Sequence, residues 1–116
     1  MLIQGNATIE VGASAFQNAD LIVRLEDTSL ADAPARLVAE TVLHGVSWRG
    51  DPAQTLPFTL KIPDDLIPGA RYELRLHLDR TRTGEIERGD FITTQSHPLN
   101  PAAAMPLRIP LRWLRP

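Results

Sequence analysis

Cysteine is absent from the 116 residues, which excludes disulfides, thiolate nucleophiles and zinc–thiolate sites and leaves no thiol for lipid attachment within this stretch. Lysine is nearly absent as well. Lys61 is the only one among 12 basic residues, against 14 acidic ones, and the formal charge is -2. The two signs are interspersed, so no basic patch forms for a phosphate backbone or an anionic membrane surface, and nucleic acid is not expected as a partner. No apolar run approaches the roughly 18 residues that cross a bilayer as a helix, and Met1-Leu2-Ile3-Gln4-Gly5 has neither the basic flank nor the apolar stretch of a signal peptide. The seven glycines are scattered and form no Gly-x-Gly-x-x-Gly phosphate cradle, so no nucleotide cofactor is expected.

What the chain does have is alternation of apolar and polar residues, the signature of strands with one face on a core and one in water. Residues 21–27 place Leu21, Val23 and Leu25 on one face and Arg24 and Glu26 on the other; Ile22 is the single exception. Residues 71–79 place Tyr72, Leu74, Leu76 and Leu78 inward and Arg71, Glu73, Arg75, His77 and Asp79 outward, as expected of a strand inside a sheet. At the C-terminal end Met105, Leu107, Ile109, Leu111 and Trp113 share a face. Pro106 and Pro110 cannot donate to a ladder, so this last strand is expected at a sheet edge. Phe58, Leu60 and Ile62 alternate between Pro57 and Pro63, and a first strand is expected from about Leu2 to Val11.

Residues 36–45 fit a strand face through Leu37, Ala39, Thr41 and Leu43, and also a helical stripe; the β-branched Val38, Thr41 and Val42 favour the strand. Residues 91–95 read as a short strand paired with the one ending near Asp79. Turn signals recur between these segments: Asp32-Ala33-Pro34, Arg49-Gly50-Asp51-Pro52, Ile67-Pro68-Gly69, Thr83-Gly84 and Arg88-Gly89-Asp90. Together they specify an all-β fold, an antiparallel two-sheet β-sandwich of about seven short strands, in a single domain over residues 1–116.

Catalytic chemistry finds no constellation. His44, His77 and His97 are the available metal ligands or bases, but nothing in their spacing requires them to meet. His77 lies on the polar face of its strand beside Arg75 and Asp79, where a surface ladder is expected. No Gly-x-Ser-x-Gly elbow exists, and Ser96 and His97, being neighbours in extended chain, point to opposite sides. Asp64-Asp65, inside a Pro-rich segment, reads as turn chemistry rather than a converging acid pair. No catalytic, metal-binding or cofactor-binding residue is therefore expected. Of the aromatics, Trp48 stands out because it falls in the glycine-flanked stretch His44-Gly45-Val46-Ser47-Trp48-Arg49-Gly50, read as a loop. Such a ring either folds back as a lid or is presented to a partner. Trp48 and Phe16 are accordingly the candidate partner-binding residues.

The segment Leu21-Ile22-Val23-Arg24-Leu25-Glu26-Asp27-Thr28-Ser29-Leu30-Ala31-Asp32-Ala33-Pro34-Ala35 resembles the signature of the YbaY/YscW-like lipoprotein family, in which an alternating strand runs into an Asp-x-Ser-x-Ala-Asp-x-Pro turn. The resemblance continues through Leu56-Pro57-Phe58-Thr59-Leu60, the Ile67-Pro68 turn and the Tyr72 strand. It implies a β-sandwich carried on a lipid anchor at the inner face of a Gram-negative outer membrane, on the periplasmic side. Some members are pilotins, chaperones that bind a secretin subunit of a type III secretion system. With no cysteine here, such attachment needs an anchor outside these residues; a native start at Met1 would instead place the chain in the cytoplasm.

The function expected is thus non-enzymatic binding of a protein segment in the cell envelope, the partner being a secretin subunit or another envelope protein. An apolar groove taking an amphipathic helix is preferred over strand addition, because a proline-bearing edge is a poor template. The alternative is a small-molecule or lipid carrier, which requires an apolar cavity of roughly 300 Å³ or more between the sheets.

Overall fold

The computed structural model describes residues 1–100 and 102–116. Seven strands account for the regular structure: β1 Leu2–Ile9, β2 Phe16–Asp27, β3 Arg36–Trp48, β4 Leu56–Lys61, β5 Tyr72–Asp79, β6 Phe91–Ile92 and β7 Leu107–Trp113. In β4 the alternation read from the sequence is the alternation of burial, with Leu56, Phe58 and Leu60 buried and the residues between them exposed. In β5 Tyr72, Leu74, Leu76 and Leu78 face the core as expected, but Glu73 and Asp79, expected outward in solvent, are buried too, because Ser96 covers Glu73 and the 80–90 segment bonds to Asp79. The doubtful segment 36–45 is strand, as its β-branched residues favoured, and β6 pairs with β5 through His77 with Ile92 and Leu78 with Phe91.

The architecture departs from the expected sandwich. The strands form one sheet in the order β3-β2-β5-β6-β7-β1-β4, curled until its two ends, β3 and β4, approach each other, so the fold is a nearly closed barrel. The ladders are not all antiparallel either, since β1 and β7 run parallel from Gly5 with Leu107 to Ile9 with Leu111. Short strands with one apolar face satisfy a sandwich and a barrel equally, and strand direction leaves no mark on a period of two. β5 lies inside the sheet, between β2 and β6.

β7 was expected at an edge and instead joins β1 to β6. The physical reason lies in the length of β6, which reaches only Arg112 and Trp113 of β7. At Pro110 the ladder is one-sided, with Thr8 of β1 opposite and no strand on the other flank among the described residues. A residue without an N–H is tolerated there as it would be at a true edge.

The core is filled by the chain's own side chains. Trp48, Phe91, Ile3, Leu21, Leu25, Leu60, Leu74 and Leu78 are fully buried, with Phe16 and Phe91 rings 5.4 Å apart and Phe16 stacked on Trp48 at 6.3 Å. These side chains occupy the interior that a carrier would need for its ligand. The turn after β2 is pinned by its own polar groups. Ser29 N–H donates to Asp27 Oδ1 at 2.9 Å, Arg71 N–H donates to Ser29 Oγ at 2.7 Å, and Thr28 N–H donates to Arg71 carbonyl at 2.8 Å. Hydrogen bonding by Ser29 holds the Asp27 carboxyl below its ordinary range, with Arg36 adding to the effect. The Asp-x-Ser pair therefore ties the β2–β3 connection to the start of β5.

Candidate functional site

The two aromatics singled out from sequence are brought together, but inside the molecule. Trp48 is the last residue of β3, 1% exposed, and its indole N–H donates to the Asp51 carbonyl at 3.0 Å; Phe16, the first residue of β2, is 6% exposed. The glycines that made residue 45 onward look like a loop produce an irregularity within the strand instead: Gly45 has φ 69°, a conformation that glycine adopts freely.

The histidines do not converge. His44 Nδ1 meets Asp20 Oδ1 at 2.8 Å on the surface, and His77 Nε2 meets Asp90 Oδ2 at 2.9 Å. His97 Nε2 is buried without a hydrogen-bond partner among the described residues. Burial pushes the His97 imidazole below its ordinary range, opposed by the nearby Glu73 carboxylate. The unfolded chain takes up this proton near pH 6.5 and the folded one only at lower pH, so stability falls as pH drops below about 6.5 and levels off under the folded value. His97→Phe should flatten that part of a urea-midpoint profile, and an unchanged profile would assign the acid sensitivity to another group.

His77, Asp79 and Asp90 place ligand atoms within 4.8 Å of one another, the spacing of a metal cluster, yet the donors around them show a different task. Asp90 Oδ1 accepts Arg80 N–H at 3.0 Å and Oδ2 accepts Glu87 N–H at 3.1 Å; Asp79 accepts Thr83 and Gly84 N–H at 3.3 and 2.7 Å. With backbone amides already aimed at both carboxylates, a cation would have to compete with N–H dipoles for their oxygens. The two aspartates are 1% exposed and serve to fold the 80–90 segment back over the sheet.

That segment builds a groove on the sheet's outer face. The floor is a row of residues in register across three strands, Ile22 of β2 opposite His77 of β5 and His77 opposite Ile92 of β6, and Val42 of β3, opposite Ile22, continues the row beyond the groove lining. Their sequence neighbours Leu21, Val23, Leu76, Leu78 and Phe91 are core residues, so the row points outward. Ile86, from the folded-back segment, forms one wall and is 61% exposed. Arg24, Glu26 and Arg75 form the other, and the groove holds about 450 Å³.

An outward apolar row under an apolar wall is what a docking surface requires. Its sequence signals were the residues that broke alternation, Ile22 in β2 and Ile92 beside Phe91. A larger recess of about 580 Å³ near Thr8, Glu10, Thr94, Gln95 and Arg108 has a more polar lining. A smaller one of about 370 Å³ opens where Leu37 and Val38 of β3 face Leu66 and Ile67.

Among the described residues no helix is long and apolar enough to cross a membrane. Among curated proteins, none matches the chain. One solved structure similar to it, that of an alternative pilotin from the type II secretion system of Vibrio cholerae, has a TM-score of 0.73 at 24% identity, covering 97% of this chain and 95% of that one; the likeness is one of fold. The family model for the type III secretion system lipoprotein chaperone YscW matches residues 1–105, and the chain belongs to that family.

Proposed function

We propose that the protein is a secretin-associated lipoprotein chaperone of the envelope that acts without catalysis, holding an amphipathic helical segment of a secretin subunit in the groove over Ile22, Ile86 and Ile92. Family membership supports the chaperone class and an outer-membrane-associated location. The observation that carries the docking site is the in-register outward row from Ile22 to Ile92. Neighbouring strands lie about 4.8 Å apart, so two strand steps span about 10 Å. A helix rising 1.5 Å per residue covers that distance in about seven residues, with an apolar side chain facing the floor roughly every 5 Å. The row therefore matches the stripe of a helix of about two turns laid across the strands.

The test is co-expression with a type III secretin subunit and affinity capture. The native protein should retain the secretin, and Ile86→Asp should reduce retention at least about tenfold while leaving the thermal midpoint nearly unchanged, since Ile86 is largely exposed on the groove wall and a carboxylate at an apolar anchor costs more than about 1.4 kcal/mol of binding. Failure of the native protein to retain secretin overturns the chaperone reading. Normal retention by Ile86→Asp with loss on Leu37→Asp moves the dock to the recess between β3 and the Leu66–Ile67 turn.

A further inference from the structure

We infer that the groove selects its occupant by charge, favouring a helix whose apolar stripe is flanked by lysine or arginine; this rests on the docking reading above and names the chemistry of its partner. Two guanidiniums line the groove, and both are already engaged. Arg24 pairs with Glu40, and Arg75 pairs with Glu26 at 2.9 Å and with Glu73 at 3.7 Å. Opposite them, on the folded-back segment, Glu85 lines the groove with a carboxylate that has no hydrogen bond or ion pair among the described residues. Its backbone is fixed, Glu85 N–H donating to Thr83 Oγ1 at 3.3 Å.

The lining itself sets Glu26 and Glu85 against two arginines, but both arginines are further engaged by Glu40 and Glu73 just outside it, which leaves Glu85 as the lining charge without a partner among the described residues. The remaining histidine of the floor, His77, is bonded to Asp90. Arg112 continues the row on β7 but lies outside the groove lining. An occupant with acidic flanks would meet Glu85 as a like charge and gain nothing from arginines that have partners. One with basic flanks would supply the missing partner of Glu85 and share those of the two arginines.

The experiment titrates the folded protein, by calorimetry, with two synthetic helical peptides carrying the same leucine stripe, one flanked by lysine and one by glutamate. The lysine peptide should bind about fivefold more tightly at low salt, the scale of one or two exposed ion pairs, and high salt should shrink the difference. Glu85→Lys should remove or invert the preference, and the uncharged Ile86→Asn should weaken both peptides alike. Equal binding, or preference for the glutamate peptide, with sensitivity to Ile86→Asn retained, overturns the charge selection and leaves the groove standing. A lysine preference that Glu85→Lys does not alter overturns the assignment to Glu85. Binding of neither peptide overturns the helix-in-groove reading and the charge selection with it.

Discussion

Asp90→Ala should cost about 3 kcal/mol or more of stability, because each part-buried donor stripped of its acceptor forfeits about 1–3 kcal/mol and few groups in the chain serve as many. The Asp90 carboxylate is 1% exposed and accepts from Arg80 N–H, Glu87 N–H and His77 Nε2 at 3.0, 3.1 and 2.9 Å. Alanine leaves all of these facing a small cavity that lacks an acceptor. The thermal midpoint should drop by about 10 °C or more. Asp90→Asn should fall in between, since its amide oxygen still serves one backbone N–H while its NH₂ opposes the other. Hydrogen exchange adds a local readout: the Arg80 and Glu87 amides should lose protection, and Ile86, carried next to Glu87, should lose its fixed place as a groove wall. A stability change under about 1 kcal/mol would show that water replaces the carboxylate and that the segment does not depend on it.

Gly5→Val should be of similar size for the opposite physical reason, too much volume rather than too few partners. Gly5 of β1 sits directly opposite Phe58 of β4, and the Phe58 ring occupies the place where a Cβ on residue 5 would go. The ring is 3% exposed and enclosed by the core, so it cannot swing away without displacing its neighbours. Overpacking of this kind costs about 1–3 kcal/mol, and even alanine introduces the offending atom. A cross-strand aromatic laid over a strand glycine is also how a sheet recovers packing where a side chain is missing. The check is a double-mutant cycle. Phe58→Leu alone should destabilise, whereas Gly5→Ala combined with Phe58→Leu should cost at least about 1 kcal/mol less than the two separate losses added. Strict additivity would mean that the clash is relieved elsewhere.

Most strands were legible because burial on one face forces a period of two, and β4 shows it plainly. Other features were not. The parallel pairing of β1 with β7 is invisible to alternation, which is the same for either direction. The position of β7 was misread because Pro110 signals a missing ladder partner, and a two-residue β6 creates that condition inside a sheet as well as an edge does. Trp48 looked like a loop residue because Gly45 and Gly50 flank it, yet the strand accommodates Gly45 and continues to the tryptophan. The groove was written in the sequence only as faults in the pattern: Ile22 out of phase, Ile92 apolar beside Phe91, and Ile86 apolar within a polar turn region. A single out-of-phase residue has no meaning until the register lines Ile22 up with Ile92 and the folded-back segment sets Ile86 beside them. The role of Asp79 and Asp90 left no sequence signal beyond the turn residues around them, since what they bind is backbone.

The place of β7 bears on the order in which the molecule is assembled. β4 and β1 form one backbone-paired group, and β3, β2, β5 and β6 form the other; β7, the seventh in chain order, is the ladder that joins them. The groove wall is tied to the same end of the chain, because Gly89 N–H donates to the Leu114 carbonyl and Leu114 N–H to the Asp90 carbonyl. Until these residues dock, β1 and β6 each present an unmatched flank and the Ile86 segment lacks its anchor. Contacts so distant in sequence form slowly. A partner that recognises the finished groove therefore meets only chains in which the 107–114 segment has docked, and the docking surface doubles as a readout of the joined sheet.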